Sequence, residues 1–168
     1  QLAALFTSYA ARPDVLVLGL PRGGVPVAFE IAERLGVALD VLVVRKLGVP
    51  GQPELAMGAI AEGDVEVMNG ALVTAIGIPD ELIRQAVARE RLELDRRVQL
   101  FRGGQAPLPI RDRTVILVDD GLATGATMEA AIIAARQQSP ARLVIAAPVG
   151  APDTVARLGR LADDIVCL

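Results

Sequence analysis

The sequence has 168 residues, of which 52% are hydrophobic and only 2% aromatic, so it is long enough to bury one core of mainly aliphatic side chains. Its net charge of -3 at pH 7 argues against a general nucleic-acid-binding face, because such a face needs basic groups that displace counterions. A single cysteine excludes an internal disulfide, and the lack of histidine argues against a zinc cluster. No apolar run reaches about 18 residues, the length of a membrane span. We therefore expect a cytoplasmic protein.

The predicted strands are short, continuous apolar runs, which are typical of parallel strands covered on both faces. They lie at residues 15–18, 41–44, 115–118, 143–147 and 165–168. Helical patterns between them predict helices at residues 24–35, 80–101, 127–138 and 152–161. This alternation predicts a doubly wound α/β fold with a mainly parallel sheet of about five strands flanked by helices, in a single domain over residues 1–168.

An insertion separates the second predicted strand from the long helix. The sequence KLGVPGQP, residues 46–53, contains glycines and prolines that disfavour regular structure. Residues 56–60 and 65–68 flank Gly63-Asp64 like the two strands of a small hairpin. Because few apolar anchors offset the ordering entropy of residues 47–55, we predict a flexible loop and hairpin over residues 46–70, with the loop acting as a mobile flap.

The sequence VILVDDGLATGAT, residues 115–127, combines an apolar strand, two acids and a loop of small residues. Ligands of open parallel sheets bind beyond the carboxyl ends of the strands, so Asp119 and Asp120 face the ligand crevice. The loop leads directly into a helix, where backbone N–H groups and hydroxyls bind phosphate well. Carboxylates repel phosphate, so the acids must serve another part of the same ligand, such as sugar hydroxyls or a bridging Mg²⁺.

Two other interpretations of this motif are weaker. A Thr-Gly-x-Thr sequence by itself is explained more simply as a helix cap, but the whole string favours a ligand site. A Walker-type loop would need Gly-Lys followed by Ser or Thr, and the dinucleotide pattern G-x-G-x-x-G is absent after the first strand. The motif therefore indicates a different phosphate-binding family.

VILVDDGLATGAT resembles the phosphoribosyl-diphosphate fingerprint of the type I phosphoribosyltransferases, in which a hydrophobic strand precedes two acids and a small-residue loop ending in Thr. The segments LPRGGVPVA and VRKLGVPGQPELAMGAI are similar to a subgroup known as predicted phosphoribosyltransferases. The order of elements from residue 15 to 168 resembles the family's core as well. The resemblance implies a Mg²⁺-dependent pentosyltransferase that uses phosphoribosyl diphosphate and a small nitrogen acceptor, and it is compatible with a homodimer.

The resemblance also implies roles for particular residues. In the family the two acids contact the ribose hydroxyls directly or through Mg²⁺, the next loop wraps the 5-phosphate, and a loop after the first strand binds pyrophosphate. Adenine and orotate phosphoribosyltransferases have a similar Arg-Lys pair at the root of a flexible loop, where it contacts pyrophosphate. The substrate-binding residues implied here are Arg22, Gly23, Gly24, Arg45, Lys46, Asp119, Asp120, Ala123, Thr124, Gly125, Ala126 and Thr127.

Among these residues, Asp119, Asp120 and Lys46 are implied to be catalytic, and the two acids to hold Mg²⁺. Taken alone, Arg22 could equally belong to a solvated turn, but together with the downstream fingerprint it favours a functional role. A solvated pair is the simpler interpretation of Arg45-Lys46 at the carboxyl end of the second predicted strand. Three functions stay open: transfer of the ribosyl phosphate with release of pyrophosphate, binding of phosphoribosyl diphosphate without turnover, and an unrelated nucleotide-binding role. The acceptor hood would come from the insertion and long helix, from another subunit, or from sequence beyond this chain.

Overall fold

The computed structural model describes residues 1–63 and 65–168, and in these ranges helices alternate with strands. The helices are α1 (Gly24–Leu35), α2 (Gly70–Ile76), α3 (Asp80–Arg102), α4 (Ala126–Gln137) and α5 (Pro152–Leu158), preceded by a 3-10 helix at Leu2–Tyr9. The strands are β1 (Val15–Gly19), β2 (Ala38–Val41), β3 (Val44–Val49), β4 (Gln52–Ala61), β5 (Val65–Met68), β6 (Thr114–Val118), β7 (Arg142–Ala147) and β8 (Asp164–Cys167). None of the described helices combines the length and apolar character needed to cross a membrane.

The main sheet contains five strands in the order β2-β1-β6-β7-β8, and all of its pairings are parallel. β1 and β6 are fully buried because both faces are covered, as their continuous aliphatic sequences require. On one face, Val15 and Val17 pack with Phe6 of the 3-10 helix and Ile31 of α1. On the other face the core includes α4 and parts of the second sheet. The predicted doubly wound fold is confirmed.

A second, antiparallel sheet has the strand order β3-β4-β5 and packs against α3. The hairpin predicted around residue 63 is confirmed, since Ala61 pairs with Val65 and Gly58 with Met68. β4 begins at Gln52, well before the predicted start of the hairpin. Asp64, the second residue of the predicted turn, lies outside the described residues.

Two predictions in this region are wrong. The apolar run at 41–44 is not one strand, because it contains the end of β2 in the main sheet and the start of β3 in the second sheet. Leu42 and Val43 join the two and are buried, so their hydrophobicity hides the break. KLGVPGQP is not irregular either, because it holds the end of β3, a tight turn at Pro50-Gly51 and the start of β4.

The long helix α3 has one apolar face. Leu94 is buried against the second sheet, and the partly exposed Ile83, Val87, Val98 and Phe101 pack beside it. At the end of α3, a single arginine connects the two sheets. Arg102 forms ion pairs with Asp40 of β2, at 2.9 Å, and with Glu62, the residue after β4, and its side chain is only 5% exposed. These contacts fix the position of the second sheet beside the carboxyl ends of the main sheet.

Candidate functional site

The loop after β1 packs directly on the two acids after β6. A Cβ atom on Gly24 would overlap the carbonyl oxygen of Val118 and lie 2.9 Å from the Cα of Asp119. A Cβ atom on Gly23 would overlap the Asp120 carboxylate. The clash with backbone atoms requires glycine at residue 24, whereas at residue 23 a Cβ atom would only displace the exposed Asp120 side chain. The structure thus brings together two segments that lie about a hundred positions apart in the sequence and that the resemblance assigns to a single site.

Asp119 and Asp120 lie at the carboxyl end of β6 in different environments. Asp119 is half-buried, and its carboxylate accepts a 2.9 Å hydrogen bond from the N–H of Asp120, whose own side chain is exposed. Burial raises the pKa of Asp119 to about 6, opposed by that hydrogen bond and assisted by the neighbouring Asp120 carboxylate. The pair therefore carries concentrated negative charge that a ligand hydroxyl or a cation would relieve.

The raised pKa of Asp119 predicts a pH-dependent stability. A carboxyl whose pKa is higher in the folded state stabilises the protein at low pH, and that contribution is lost as the pH rises through about 6. Asp119→Asn should therefore raise the melting temperature at about pH 8 and have little effect near pH 4. After allowance for the partial exposure of Asp119, the expected gain in the free energy of unfolding at about pH 8 is about 1 kcal/mol. Thermal unfolding at both pH values checks this, with the exposed Asp95→Asn as control. A variant less stable than wild type at the higher pH would contradict it.

The loop at residues 121–125 offers unpaired backbone donors. Leu122 fixes the base of the loop, since its N–H donates to Val149 at 2.9 Å and its carbonyl accepts from Ala151 at 2.9 Å. In contrast, the N–H groups of Ala123, Thr124 and Gly125 donate to no protein group in the part of the chain that the structure describes. Gly125 has a φ of +72° and caps α4 at its N-terminus. Free amides beside a helix N-terminus form a suitable cradle for a phosphate group.

A second set of donors lies next to the acids, just before α1. Arg22 is exposed, and among the described residues it forms no ion pair. The N–H groups of Arg22 and Gly23 likewise have no protein acceptor among the residues that the structure describes, whereas the N–H of Gly24 donates to Leu20 at 3.0 Å. Free backbone N–H groups therefore lie in two loops next to the carboxylates at the end of β6.

Arg45 and Lys46 are not where the sequence placed them. They lie within β3 of the second sheet rather than at the end of a strand of the main sheet. Both are held by acids: Arg45 by Glu90 of α3, with 2.6 Å between Nη2 and Oε2, and Lys46 by Glu54 of β4, with 3.5 Å between Nζ and Oε2. A bound anion would compete with these two acids for Arg45 and Lys46.

A cavity of about 690 Å³ lies between the loop after β1, β3 and α3. Leu20, Pro21 and Thr127 line the end nearest the candidate site, and Arg45 and Lys46 line one wall. In the described part of the chain no aromatic side chain contributes to the lining. The cavity is large enough for a small organic molecule next to the loop after β1 and the start of α4.

Three cavity residues on α3, namely Gln85, Arg89 and Glu90, are absent from the set of site residues that the sequence implied. Leu82, Ala86 and Arg97 line the same cavity, so the wall-forming positions recur at helical spacing. That spacing was a usable signal. It was overlooked because charged residues at such positions normally face solvent.

A metal ion would have few protein ligands here. The described residues contain no cluster of three or more histidine, cysteine, aspartate or glutamate side chains that could enclose an ion. Asp119 and Asp120 offer carboxylate oxygens at the end of β6. This donor set suits Mg²⁺, which binds through one or two carboxylates and completes its shell with water and substrate oxygens.

Comparison with known proteins assigns the chain to a family. The sequence model of the phosphoribosyl transferase domain matches residues 2–165, so the chain belongs to this family. The predicted family resemblance is confirmed.

Particular relatives agree with that assignment. Two proteins of Mycobacterium tuberculosis, from strains CDC 1551 / Oshkosh and H37Rv, are 53% identical over all of this chain, and their names assign them provisionally as phosphoribosyl transferases. The chain spans 38% of the length of these curated relatives. The crystal structure of TT1426 from Thermus thermophilus is similar with a TM-score of 0.88 and 42% identity, covering 99% of this chain and 80% of that one. A purine phosphoribosyltransferase from Pyrococcus horikoshii shares the fold at a TM-score of 0.53 and 22% identity, over 99% of this chain and 76% of that one.

Proposed function

We propose that this protein transfers the 5-phosphoribosyl group from phosphoribosyl diphosphate to a nitrogen acceptor and releases pyrophosphate. The observation that carries the proposal is the packing of Gly23 and Gly24 against Asp119 and Asp120, with the free amides of the 123–125 loop next to them. Two anion-binding segments thus flank two carboxylates. Phosphoribosyl diphosphate has the matching order of groups, because its ribose hydroxyls lie between a 5-phosphate and a pyrophosphate.

Each segment has a distinct role in this proposal. The cradle formed by Ala123, Thr124 and Gly125 binds the 5-phosphate, and Asp119 and Asp120 accept hydrogen bonds from the ribose hydroxyls. Arg22 and the nearby amides bind the pyrophosphate, since a guanidinium and free N–H groups are good partners for phosphate oxygens. Magnesium, when bound through Asp119, Asp120 and substrate oxygens, would offset part of the pyrophosphate charge.

The reaction exchanges one bond for another at the anomeric carbon of the ribose. The bond from this carbon to the pyrophosphate oxygen breaks, the pyrophosphate leaves with the electron pair, and the acceptor nitrogen forms the new bond and loses a proton. Holding the sugar by both of its anionic ends fixes the anomeric carbon relative to the acceptor, which lowers the entropic barrier. Lys46 on the cavity wall is the cation that would meet the leaving group.

The acceptor would occupy the cavity between β3 and α3. This location supports the interpretation that the insertion and the long helix form a reduced hood, one of the three sources that the sequence leaves open. Without an aromatic platform in the described lining, an acceptor would be held by aliphatic contacts from residues such as Leu82 and by polar groups such as Gln85. A nucleobase or related amine is of suitable size. A cytoplasmic location, a single domain and a homodimer remain predictions of the same proposal.

The transfer reaction is tested by measuring pyrophosphate release from phosphoribosyl diphosphate across a panel of purine and pyrimidine bases and amines. We expect release that depends on Mg²⁺ and on at least one acceptor, and no release by the Asp119→Asn, Asp120→Asn double variant. If the protein binds phosphoribosyl diphosphate tightly but releases no pyrophosphate with any acceptor, its function is binding without turnover and not transfer.

The turn between β3 and β4 is the part of the insertion best suited to act as a lid. Leu47 and Val49 are buried, so the predicted flap is anchored at its first residues, contrary to the expectation of few apolar anchors. Beyond them, Val49 pairs with Gln52 while Gly48 pairs with Ala56, which leaves residues 53–55 of β4 without opposing partners. This bulge and the exposed turn restrict the expected lid to residues 50–55.

Bound pyrophosphate should close this lid, because it offers Arg45 and Lys46 an anion in place of Glu90 and Glu54. We predict that amide exchange in residues 50–55 slows at least about tenfold with Mg²⁺ and phosphoribosyl diphosphate, whereas ribose 5-phosphate, which has no pyrophosphate, leaves it unchanged. Hydrogen exchange with each ligand at saturation checks this. If both ligands protect these amides equally, or if neither does, Arg45 and Lys46 are ordinary ion-paired residues and do not close a lid.

A further inference from the structure

Two side chains of α5 contact the loop that we assign to the 5-phosphate. The hydroxyl of Thr154 donates to the carbonyl of Ala123 at 2.7 Å, and Nη2 of Arg157 donates to the carbonyl of Thr124 at 2.7 Å. Thr154 is only 8% exposed, so the first contact is shielded from water. The two residues are three positions apart on one helix and therefore face the same way, toward two successive carbonyls of the loop.

These contacts determine which way the loop amides point. In a planar trans peptide the C=O and the following N–H point in opposite directions. Because the carbonyls of Ala123 and Thr124 point to α5, the N–H groups of Thr124 and Gly125 must point away from it. These are two of the three loop N–H groups with no protein acceptor in the described part of the chain. Thus α5 orients donors toward the space that a phosphate would fill.

Packing around Gly125 holds the loop against the same helix. A Cβ atom on Gly125 would lie 2.6 Å from Cγ2 of Thr154 and 3.0 Å from Nη2 of Arg157. The loop backbone is therefore in contact with both side chains, and there is little room for it to rotate. An alternative loop conformation with its carbonyls turned inward would lose both hydrogen bonds at once.

Arg157 also neutralises an acid close to the phosphate cradle. Its Nη1 atom pairs with the carboxylate of Glu129, which lies in the first turn of α4. A negative charge in that turn would repel a phosphate dianion bound at the helix N-terminus. Without Arg157, Glu129 would be unpaired beside the ligand, so its loss should have a greater effect than the loss of one hydrogen bond.

We propose that Thr154 and Arg157 are positioning residues for the 5-phosphate, which orient the loop amides and cancel the charge of Glu129. This inference rests on the proposed function, since it assumes that the 123–125 loop binds the phosphate of a ribosyl ligand. Neither residue is required to touch the substrate. Substituting either residue should therefore weaken the binding of ligands that carry the 5-phosphate and leave the binding of free pyrophosphate unchanged.

The test compares Thr154→Val, Arg157→Met and Arg157→Lys with Arg160→Met, which removes an exposed arginine just after α5. Titration calorimetry measures the dissociation constants of ribose 5-phosphate and of magnesium pyrophosphate. We expect Arg157→Met to weaken ribose 5-phosphate by about tenfold or more and Thr154→Val by about three- to tenfold, with pyrophosphate unchanged. Arg157→Lys should recover part of the loss because it keeps the charge near Glu129. Adding Glu129→Gln to Arg157→Met should also recover part of it.

Several outcomes would overturn the inference. Wild-type affinity for ribose 5-phosphate in both Thr154→Val and Arg157→Met would do so, as would an equal loss for pyrophosphate, which would indicate general disruption of the fold. If Arg157→Met does not fold, Thr154→Val and Arg157→Lys decide the question by the same comparison. If wild-type protein binds neither ribose 5-phosphate nor phosphoribosyl diphosphate, the proposed function fails as well. If instead wild-type protein binds ribose 5-phosphate and the α5 variants bind it equally well, only the inference about α5 fails.

Discussion

The Asp119→Asn, Asp120→Asn double variant should fold as wild type does and bind phosphoribosyl diphosphate at least about 100-fold more weakly. Both side chains lie at the end of β6, outside the buried strand, so amides of the same size can replace them with little strain. The change removes two anionic acceptors for the ribose hydroxyls. Each such charge-assisted hydrogen bond contributes about 1.5–3 kcal/mol, so the loss of two exceeds a factor of about 100.

Calorimetric titration in the presence of Mg²⁺ measures this loss, and circular dichroism verifies the fold. A matched control is the Asp95→Asn, Asp153→Asn variant, which removes two exposed carboxylates outside the site and should keep wild-type affinity. If the double variant of the β6 acids binds as tightly as this control does, Asp119 and Asp120 do not contact the ligand and the site is misassigned.

Gly24→Ala should have a comparably large effect through packing alone. The added methyl group would overlap the carbonyl oxygen of Val118 and approach the Cα of Asp119, and both atoms belong to the rigid backbone of the central sheet. The loop at residues 22–24 must then move away from the acids. We expect a loss of stability of about 1–3 kcal/mol and at least about tenfold weaker binding of pyrophosphate and phosphoribosyl diphosphate.

Gly70→Ala provides the control for this substitution. Gly70 is the first residue of α2, and a Cβ atom there would meet no atom within 4 Å. The two variants are compared by thermal unfolding and by titration with ribose 5-phosphate, pyrophosphate and phosphoribosyl diphosphate. Ribose 5-phosphate should be affected less than pyrophosphate by Gly24→Ala, since its cradle lies in another loop. Unchanged pyrophosphate binding by a correctly folded Gly24→Ala protein would contradict the assignment of this loop.

The main sheet could be predicted from sequence because its chemistry is local. Strands such as β1 and β6 are continuous aliphatic runs, and each is followed by glycine-containing turns and a helix, so burial and direction follow from the pattern. The acids and the 123–127 loop were found for the same reason. Their positions relative to a strand and a helix are set within a few residues.

The second sheet could not be predicted in the same way. At residues 41–44 hydrophobicity is continuous across a change of sheet, and nothing in the pattern marks that Leu42 and Val43 join two sheets. The partners of Arg45 are equally non-local, because Glu90 is 45 positions away. Likewise, Arg157 is 33 positions from the Thr124 carbonyl that it contacts, and α5 alone has the sequence of an ordinary surface helix. Such contacts depend on tertiary packing, which composition and periodicity do not specify.

In the proposed function, one ligand occupies both anion-binding segments and the acids between them. The most direct measurement is a set of competition titrations with the two halves of that ligand, ribose 5-phosphate and magnesium pyrophosphate. Each fragment should be displaced by phosphoribosyl diphosphate, and each should still bind when the other is at saturation, because the fragments use separate segments. If the two fragments displace each other, the protein has a single anion site, and the assignment of residues 22–24 and 123–127 to opposite ends of one ligand is wrong.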